Sequence, residues 1–318
     1  MSAAQIAIEV FRKALPADEA VIDNRNFHRA MAVLAVLLVA TAAVCVRYLQ
    51  YGLAASDLDT LTGYAPFGAA LAYCGWARYQ RLYQACALVC WSCLFSVLLK
   101  FPLYAAVRVH RPLGDPLLAQ MDGALHVDVS GIVALMAHHH GLRLLLNESY
   151  AMLMPLVVLA SVLTAMRFHF NAAKQLIIGT IFGTLTGSVL FALLPAIGPW
   201  SVDHFAPTVL QSQCESLFMT LRTGSMHRID FDEPGFVCFP SFHVFLAVLG
   251  AAAIGSIRPL RIPAIVLTVL ICLSTLTTGW HYGADVAGGL ILAAVSILAA
   301  RLFTRFEARL AAQDASSR

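Results

Sequence analysis

The sequence predicts an all-α integral membrane protein with about eight transmembrane helices. Three observations predict this class: 59% of the 318 residues are hydrophobic, only 12% are charged, and the mean hydropathy is +0.75. A soluble domain carries about twice that charged fraction, because most of its surface must be polar. The composition therefore excludes a soluble cytoplasmic enzyme, a disordered chain and a secreted disulfide scaffold. The net charge of +3 is too small to indicate nucleic-acid binding.

Eight apolar segments account for the predicted helices, because a helix needs roughly 20 apolar residues to cross the hydrocarbon core. They lie at about 30–50, 62–77, 82–107, 148–166, 175–197, 241–257, 262–280 and 283–303. The second segment is the weakest, since it is short and is interrupted by glycine and proline. The fifth carries Gly179, Gly183 and Gly187 at four-residue spacing, which predicts that a neighbouring helix packs closely against it.

The basic residues orient the bundle, because cytoplasmic loops are enriched in Lys and Arg near the membrane. If the N-terminus lies inside and the eight segments alternate, about two thirds of the 21 basic residues fall on the inside. We therefore predict cytoplasmic termini, in a bacterial inner membrane. The predicted regions are a cytoplasmic segment 1–29, N-terminal helices 30–107, an outer amphipathic segment 108–147, a helical core 148–303 and a cytoplasmic tail 304–318.

Two short polar segments carry the candidate chemistry. The first, 239–243 (FPSFH), begins the sixth apolar segment, and its Pro and Ser are also consistent with simple helix capping. The second, 274–285 (STLTTGWHYGAD), contains His281 and Asp285 four residues apart. On a helix this spacing places both side chains on one face. An Asp bonded to one imidazole nitrogen fixes the tautomer and leaves the other nitrogen basic.

The order of the elements brings these two segments together. The sixth helix leaves the outer face at His243, the chain turns at 258–263, and the seventh helix returns to the outer face at His281. Ionisable residues at membrane helices are costly and are therefore often functional. We expect His243, His281 and Asp285 to form one site on the outer, periplasmic face.

At these residues the sequence resembles the type 2 phosphatidic acid phosphatase superfamily, over about residues 175–300. The second motif of that family is Pro-Ser-Gly-His. Pro240, Ser241 and His243 match it, and Phe242 replaces the glycine. The resemblance implies a phosphatase core formed by the last five or six helices.

The third family motif is also present. Ser274, His281 and Asp285 match it at the right spacing, while Thr275 stands where the family has arginine. The first motif, Lys-x6-Arg-Pro, is missing, and the segment 194–200 occupies the equivalent place. These departures resemble the branch related to inositol phosphorylceramide synthase.

The resemblance implies a lipid phosphatase or phosphotransferase. His281 would attack phosphorus and form a phosphohistidine, Asp285 would hold the imidazole, and His243 would protonate the leaving oxygen. Water or a lipid alcohol would then resolve the intermediate. No metal or other cofactor is implied, because cationic side chains and backbone N–H groups can hold the phosphate oxygens.

The groups that hold the phosphate are less evident, since the cations of the first and third motifs are absent. The outer loop offers Arg222 and Arg228, and a solvated loop arginine is the competing interpretation of each. Ser241 and Ser274 lie in the matched motifs, and the helix start near Ser241 could add N–H donors. Lys100, inside the third helix, is a further candidate that snorkelling or an ion pair explains equally well.

Other interpretations stay open at this point. The predicted partners are a lipid phosphate, the bilayer and, for headgroup transfer, a lipid alcohol acceptor. The substrate is a phospholipid or isoprenoid phosphate, and hydrolysis and transfer are not separated. A transporter or channel is the alternative of another class, although no repeated pair of broken helices marks a midplane site. Cys214 and Cys238 share the outer loop, where a disulfide is permitted.

Overall fold

The computed structural model of the chain is built almost entirely of helices, as the composition predicts. It describes residues 24–50, 52–53, 62–203, 205–225, 228–229 and 237–316. Its α-helices are α1 (Arg25–Tyr48), α2 (Ala65–Trp76), α3 (Gln80–Leu98), α4 (Lys100–Val107), α5 (Asp115–Ala124), α6 (Val129–His138), α7 (His140–Ala151), α8 (Leu153–Met166), α9 (Phe170–Leu193), α10 (Val209–Thr223), α11 (Phe242–Ile254), α12 (Arg261–Thr277) and α13 (Gly283–Ser316). Short 3₁₀ turns cover Pro199–Ser201 and Arg258–Leu260, and the two-residue strands β1 (Gly52–Leu53) and β2 (Arg228–Ile229) pair in parallel.

Five helical stretches in the described residues are long and apolar enough to cross a membrane. They are Arg25–Tyr48, Gln80–Val107, Phe170–Leu193, Arg258–Thr277 and Gly283–Gln313. A sixth span results if α7 and α8, which are bent by 45° relative to each other, are taken together. The prediction of a helical membrane protein is therefore confirmed.

The two remaining predicted segments form helices of less than spanning length. Helix α2 has 12 residues and α11 has 13, against the roughly 20 that a span requires. Helix α2 ends at Trp76 because the chain turns at Arg78, which has a left-handed φ of 58°. Helix α11 starts only after Ser241, whose side chain accepts a hydrogen bond from the Val244 amide and caps the helix.

Helix α9 lies at the centre of the bundle and packs against α11 and α13. The glycine stripe makes this approach possible, as predicted. A Cβ atom at Gly183 would overlap the ring of Phe245, and one at Gly187 would overlap the ring of Phe242. The bulky residue that replaces the glycine of the second motif is therefore accommodated by a glycine on the facing helix.

A buried ion pair joins α9 and α13 far from the predicted site. Lys174 Nζ lies 2.9 Å from a carboxylate oxygen of Glu307, and the same ammonium lies 5.2 Å from the ring centre of Phe27. Asp285, in the first turn of α13, precedes Glu307 by 22 residues, which is about 33 Å along a helix. The bundle therefore buries charged groups at both of its ends.

The close approach at Gly183 gives a first prediction. Replacing Gly183 with Leu forces the Phe245 ring and α11 away from α9, so we expect a loss of about 1–3 kcal/mol in stability, as is usual for overpacked cores. Thermal unfolding of the detergent-solubilised protein measures the effect. Gly68→Ala in α2 is the control, since nothing lies within 4 Å of a Cβ at that position. Equal melting temperatures for the two variants would contradict the packing described here.

Candidate active site

The backbone between α12 and α13 presents His281 at one end of the bundle. The amide nitrogens of Trp280 and His281 both lie 3.2 Å from the Thr275 carbonyl oxygen, which closes the last turn of α12. Gly279 has a φ of 72°, in the left-handed region that favours glycine, and there the chain reverses toward α13. The His281 side chain is thereby held in the interior, with only 3% of its surface exposed.

Two acceptors face the same nitrogen of His281. Its Nδ1 lies 3.1 Å from the Cys238 carbonyl oxygen and 3.4 Å from Asp285 Oδ2. Because neither acceptor can donate when Asp285 is ionised, we assign the ring proton to Nδ1 and the lone pair to Nε2. This is the tautomer that a nucleophilic histidine requires.

The contact between His281 and Asp285 is made differently from the prediction. The sequence placed both on one helix face, but His281 precedes α13 and Asp285 lies in its first turn. Asp285 Oδ2 also accepts hydrogen bonds from the Tyr282 amide at 2.8 Å and the Cys238 thiol at 2.9 Å. The Ser241 amide donates to the Asp285 carbonyl at 3.1 Å, so the start of α11 is joined to the start of α13.

His243 lies beside this pair, in the first turn of α11. The ring centres of His243 and His281 are 5.8 Å apart. Tyr150 of α7 stacks on the other side of His243, with ring centres 4.1 Å apart and an interplanar angle of 20°. The Tyr150 hydroxyl lies 3.4 Å from His243 Nδ1, at the outer limit of a hydrogen bond. The structure therefore brings His243, His281 and Asp285 together, as predicted from their order in the chain.

An aromatic cluster adjoins the two histidines, and sequence reasoning missed its role. Trp280 stacks at 6.0 Å on the face of Tyr150, and Trp200 meets Trp280 edge-on at 5.6 Å. The Trp200 indole nitrogen donates to Glu215 at 3.0 Å. Trp280 stands next to His281 in the sequence and could have been noticed there, whereas nothing in the sequence around Tyr150 indicates this contact.

The Cys238 thiol supports the carboxylate and forms no disulfide. Both Cys238 and Cys214 are free, so the disulfide considered from the sequence is absent. Burial and, second, the charge of Asp285 raise the pKa of the Cys238 thiol, so it stays protonated and can donate. Three potential metal ligands lie close together here: the Cys238 sulfur, a His281 ring nitrogen and an Asp285 oxygen are within 4.8 Å of one another. This spacing is short enough for all three atoms to coordinate one metal ion. The thiol proton bonds to Asp285, so a metal ion bound here would have to displace that proton.

The two serines of the matched motifs have structural partners. Ser241 is fully buried, and its hydroxyl oxygen accepts from the Val244 amide. Ser274 is also fully buried, and its hydroxyl donates to the Ile271 carbonyl at 2.7 Å. Thr275, where the family has arginine, is buried and donates to a carbonyl of its own helix. These side chains shape the helix ends around the histidines, and their hydroxyls point to backbone atoms.

The structure describes two of the three predicted cations, Arg222 and Lys100, together with their side chains. The Arg222 guanidinium donates to the Arg111 carbonyl oxygen. On the same helix, Gln211 bonds to the Thr278 carbonyl near His281, and Arg222 follows it by 11 residues, about 16 Å. Lys100 begins α4, which packs mainly against α1 and α9. The backbone of Arg228 forms part of β2, and its side chain is outside the described part of the chain.

Two acidic residues of α5 complete the surroundings of the site. Asp115 accepts hydrogen bonds from the amides of Ile197 and Gly198 and from the Tyr282 hydroxyl, at 2.9–3.1 Å. Asp122 accepts from the first two amides of α13 at 2.7 and 2.8 Å. Burial raises the pKa of both carboxyls, and these hydrogen bonds offset part of the shift. Both residues lie in the predicted outer segment, but the sequence did not assign them a role.

Comparison with known proteins agrees with the motif assignment. A family model described as the PAP2 superfamily matches residues 116–299, which is more than half of the chain. The match begins well before the resemblance read from the motifs and includes α5 as well as both histidines. No curated protein and no solved structure matches the chain. On the extent of the family match, the chain belongs to the PAP2 superfamily.

Proposed function

We propose that the protein transfers or hydrolyses a lipid phosphate ester through a phosphohistidine formed on His281. Membership of the PAP2 superfamily supports a phosphatase-type enzyme in general. The observation that carries the finer proposal is the arrangement of His281, whose Nδ1 faces Asp285 and a carbonyl, while a second histidine lies 5.8 Å away. A nucleophile oriented by a carboxylate, with a proton donor beside it, is what phosphoryl transfer through histidine needs.

The proposed reaction has two steps. His281 Nε2 attacks phosphorus, the bond from phosphorus to the leaving oxygen breaks, and His243 gives a proton to that oxygen. Burial and, second, the neighbouring His281 lower the pKa of His243 to about 3, so this step requires that the bound anionic phosphate raise that pKa. Asp285 stabilises the positive charge that develops on the imidazole of His281. In the second step His243 takes the proton of water or of a lipid alcohol, whose oxygen attacks phosphorus and releases His281.

The phosphate oxygens need donors, and two sources are proposed. The amides of Phe242 and His243, in the first turn of α11, precede the first hydrogen bond within the helix and suit an anion, whereas the Val244 amide is already paired with the Ser241 hydroxyl. Arg228 stays a proposed cation, on the segment between α10 and α11. Arg222 is set aside as a phosphate ligand, because its guanidinium bonds to the Arg111 carbonyl and the residue lies about 16 Å along α10 from Gln211, which contacts Thr278.

The substrate is proposed to be a phospholipid or an isoprenoid phosphate, met at the outer face of a bacterial inner membrane. The bundle contains long apolar helices, and the histidine pair lies at the end opposite to the pair of Lys174 and Glu307. The basic residues at that opposite end, including Arg301 and Arg305, support a cytoplasmic location for it. Both termini would then be cytoplasmic.

Headgroup transfer to a lipid alcohol is the second candidate, and one observation favours it over hydrolysis. His281 is 3% exposed, and Tyr150 and Trp280 stack beside it, so water has little access to the phosphohistidine. Excluding water from a reactive intermediate protects it for a second acceptor. Phe242 in the second motif, which resembles the inositol phosphorylceramide synthase branch, supports the same reading.

The nucleophile is tested directly by His281→Ala. The purified variant and the wild type are incubated with a panel of phospholipids and isoprenoid phosphates, with and without ceramide or another lipid alcohol. We expect turnover to fall by about 1000-fold or more, because a covalent nucleophile is lost. Free phosphate and new lipid products are measured together, which separates hydrolysis from transfer. His169→Ala, an exposed histidine before α9, is the matched control. Full activity of His281→Ala in a folded sample would refute the proposal.

The role of His243 predicts that an intermediate can be trapped. With a lipid phosphate ester whose leaving group needs no proton, such as a nitrophenyl ester, His243→Ala still forms the phosphohistidine. Its breakdown slows, because the base that activates the acceptor is missing. We therefore expect a burst of nitrophenol and acid-labile phosphate on His281, detected by quenching and mass spectrometry. Absence of label from the variant and from the wild type, with turnover continuing, would exclude a phosphohistidine.

The stacking on His243 gives a further prediction. Tyr150→Phe keeps the ring that supports His243 and removes a hydroxyl at the limit of hydrogen bonding, so we expect activity within about threefold of wild type. Tyr150→Ala removes the ring, and we expect a loss of about tenfold or more, since a catalytic group displaced by about 1 Å loses much of its rate. Steady-state kinetics of both folded variants check this. Equal losses would instead assign the effect to the hydroxyl.

A further inference from the structure

Asp122 binds the start of the helix that carries Asp285. Its Oδ2 accepts from the Gly283 amide at 2.7 Å and its Oδ1 from the Ala284 amide at 2.8 Å. The Asp122 residue is 4% exposed and belongs to α5, some 160 residues earlier in the chain. Both oxygens of one buried carboxylate therefore satisfy the first two amides of α13.

These amides would otherwise compete for the carboxylate of Asp285. Acidic side chains in the first turn of a helix commonly accept from the free amides of that turn. Asp285 Oδ2 accepts from the Tyr282 amide, and its Oδ1 is buried with no hydrogen-bond partner among the described residues. With Asp122 in place, the Gly283 and Ala284 amides are already paired, and Asp285 keeps the orientation that faces His281.

Tyr282 lies between His281 and the start of α13. The Tyr282 side chain is fully buried, and its hydroxyl donates to Asp115 Oδ1 at 3.1 Å. Asp115 and Asp122 thus contact the segment 282–284 from one side, while Cys238 contacts His281 and Asp285. The nucleophile is held between two unrelated parts of the chain.

We propose that Asp122 is a positioning residue for the phosphoryl transfer, which it serves by occupying the first amides of α13 and so keeping Asp285 directed to His281. The inference rests on the proposed function. Asp122 does not touch the reacting atoms, and its effect is on the geometry of the nucleophile. Its loss should slow formation of the phosphohistidine and leave lipid binding unchanged.

The test compares Asp122→Asn, Asp122→Ala and Asp122→Glu with the wild type, using the lipid substrate found active in the panel. An Asn side chain can accept from one amide only, so we expect kcat to fall about 10- to 100-fold with KM within about twofold, as for groups that orient a reactive side chain. Asp122→Glu should recover part of the rate. Single-turnover labelling of His281 should slow by the same factor as kcat.

Asp128→Asn is the matched control. Asp128 lines the same cavity as Asp122 and caps α6 through the Gly131 amide, but it is exposed, and its carboxylate bonds to Ser130 and Gly131 of its own segment. This variant loses one carboxylate and one cap, and we expect its kcat to stay within twofold of wild type. A drop equal to that of Asp122→Asn would mean that charge near the cavity matters, and would overturn the assignment to the α13 amides.

Hydrogen exchange of the peptide containing residues 282–286 supplies a readout that does not depend on turnover. We expect faster exchange in Asp122→Asn and Asp122→Ala than in wild type, with the melting temperature recorded in parallel. Wild-type kcat in a folded Asp122→Asn would overturn the proposal, and so would a kcat loss that only follows the unfolded fraction. If the wild type turns over no lipid phosphate, the proposed function fails. Unchanged hydrogen exchange in the Asp122 variants would separately refute the contact between Asp122 and the first amides of α13.

Discussion

The structure depends on keeping one imidazole and one carboxylate paired in the interior of a membrane bundle. His281 and Asp285 are almost completely buried, and each would be costly to bury alone. Their cost is offset by the contact of 3.4 Å between them and by the Cys238 carbonyl and thiol. Cys238, just before α11, and the Tyr282 amide, in the short reversal before α13, supply partners for these two side chains.

The partners come from segments far apart in the chain. Cys238 precedes α11, Tyr150 ends α7, and the carboxylates of Asp115 and Asp122 lie on α5. Helix packing brings these segments to one place: the glycine stripe on α9 lets α11 and α13 approach, and α7 lies along α12. Because each group is partnered by another element, the site is a product of the assembled bundle and not of a single motif.

The sequence was sufficient for the class of fold and for the proximity of the two predicted histidines. Hydropathy predicts the long helices because a helix that crosses lipid must consist mainly of apolar residues. The order of the elements predicts that His243 and His281 lie close together. The count of full-length spans was less accurate, since a positive φ at Arg78 and the cap at Ser241 end or start helices inside apolar stretches. Local chain geometry of this kind is not visible in hydropathy.

Contacts between distant segments could not be predicted from one sequence. The amides that donate to Asp122 lie some 160 residues away, and spacing along the chain does not predict this contact. Cys238 looked like a disulfide partner for Cys214 because both share a loop, but its thiol faces Asp285. The sequence predicted Arg222 to be a cation of the outer loop. Only the course of α10 shows that Arg222 lies about 16 Å along that helix from Gln211, the residue near His281.

Helix α13 fixes the distance between two buried polar contacts of the bundle. One end of the helix is bound to α5 through Asp122, and the other end is bound to α9 through Glu307. Between Asp285 and Glu307 a helix of 22 residues rises about 33 Å, close to the thickness of the hydrocarbon core of roughly 30 Å. The helix keeps these two attachments at a fixed distance, so a thinner bilayer has to be met by tilting of the bundle or by deformation of the lipid.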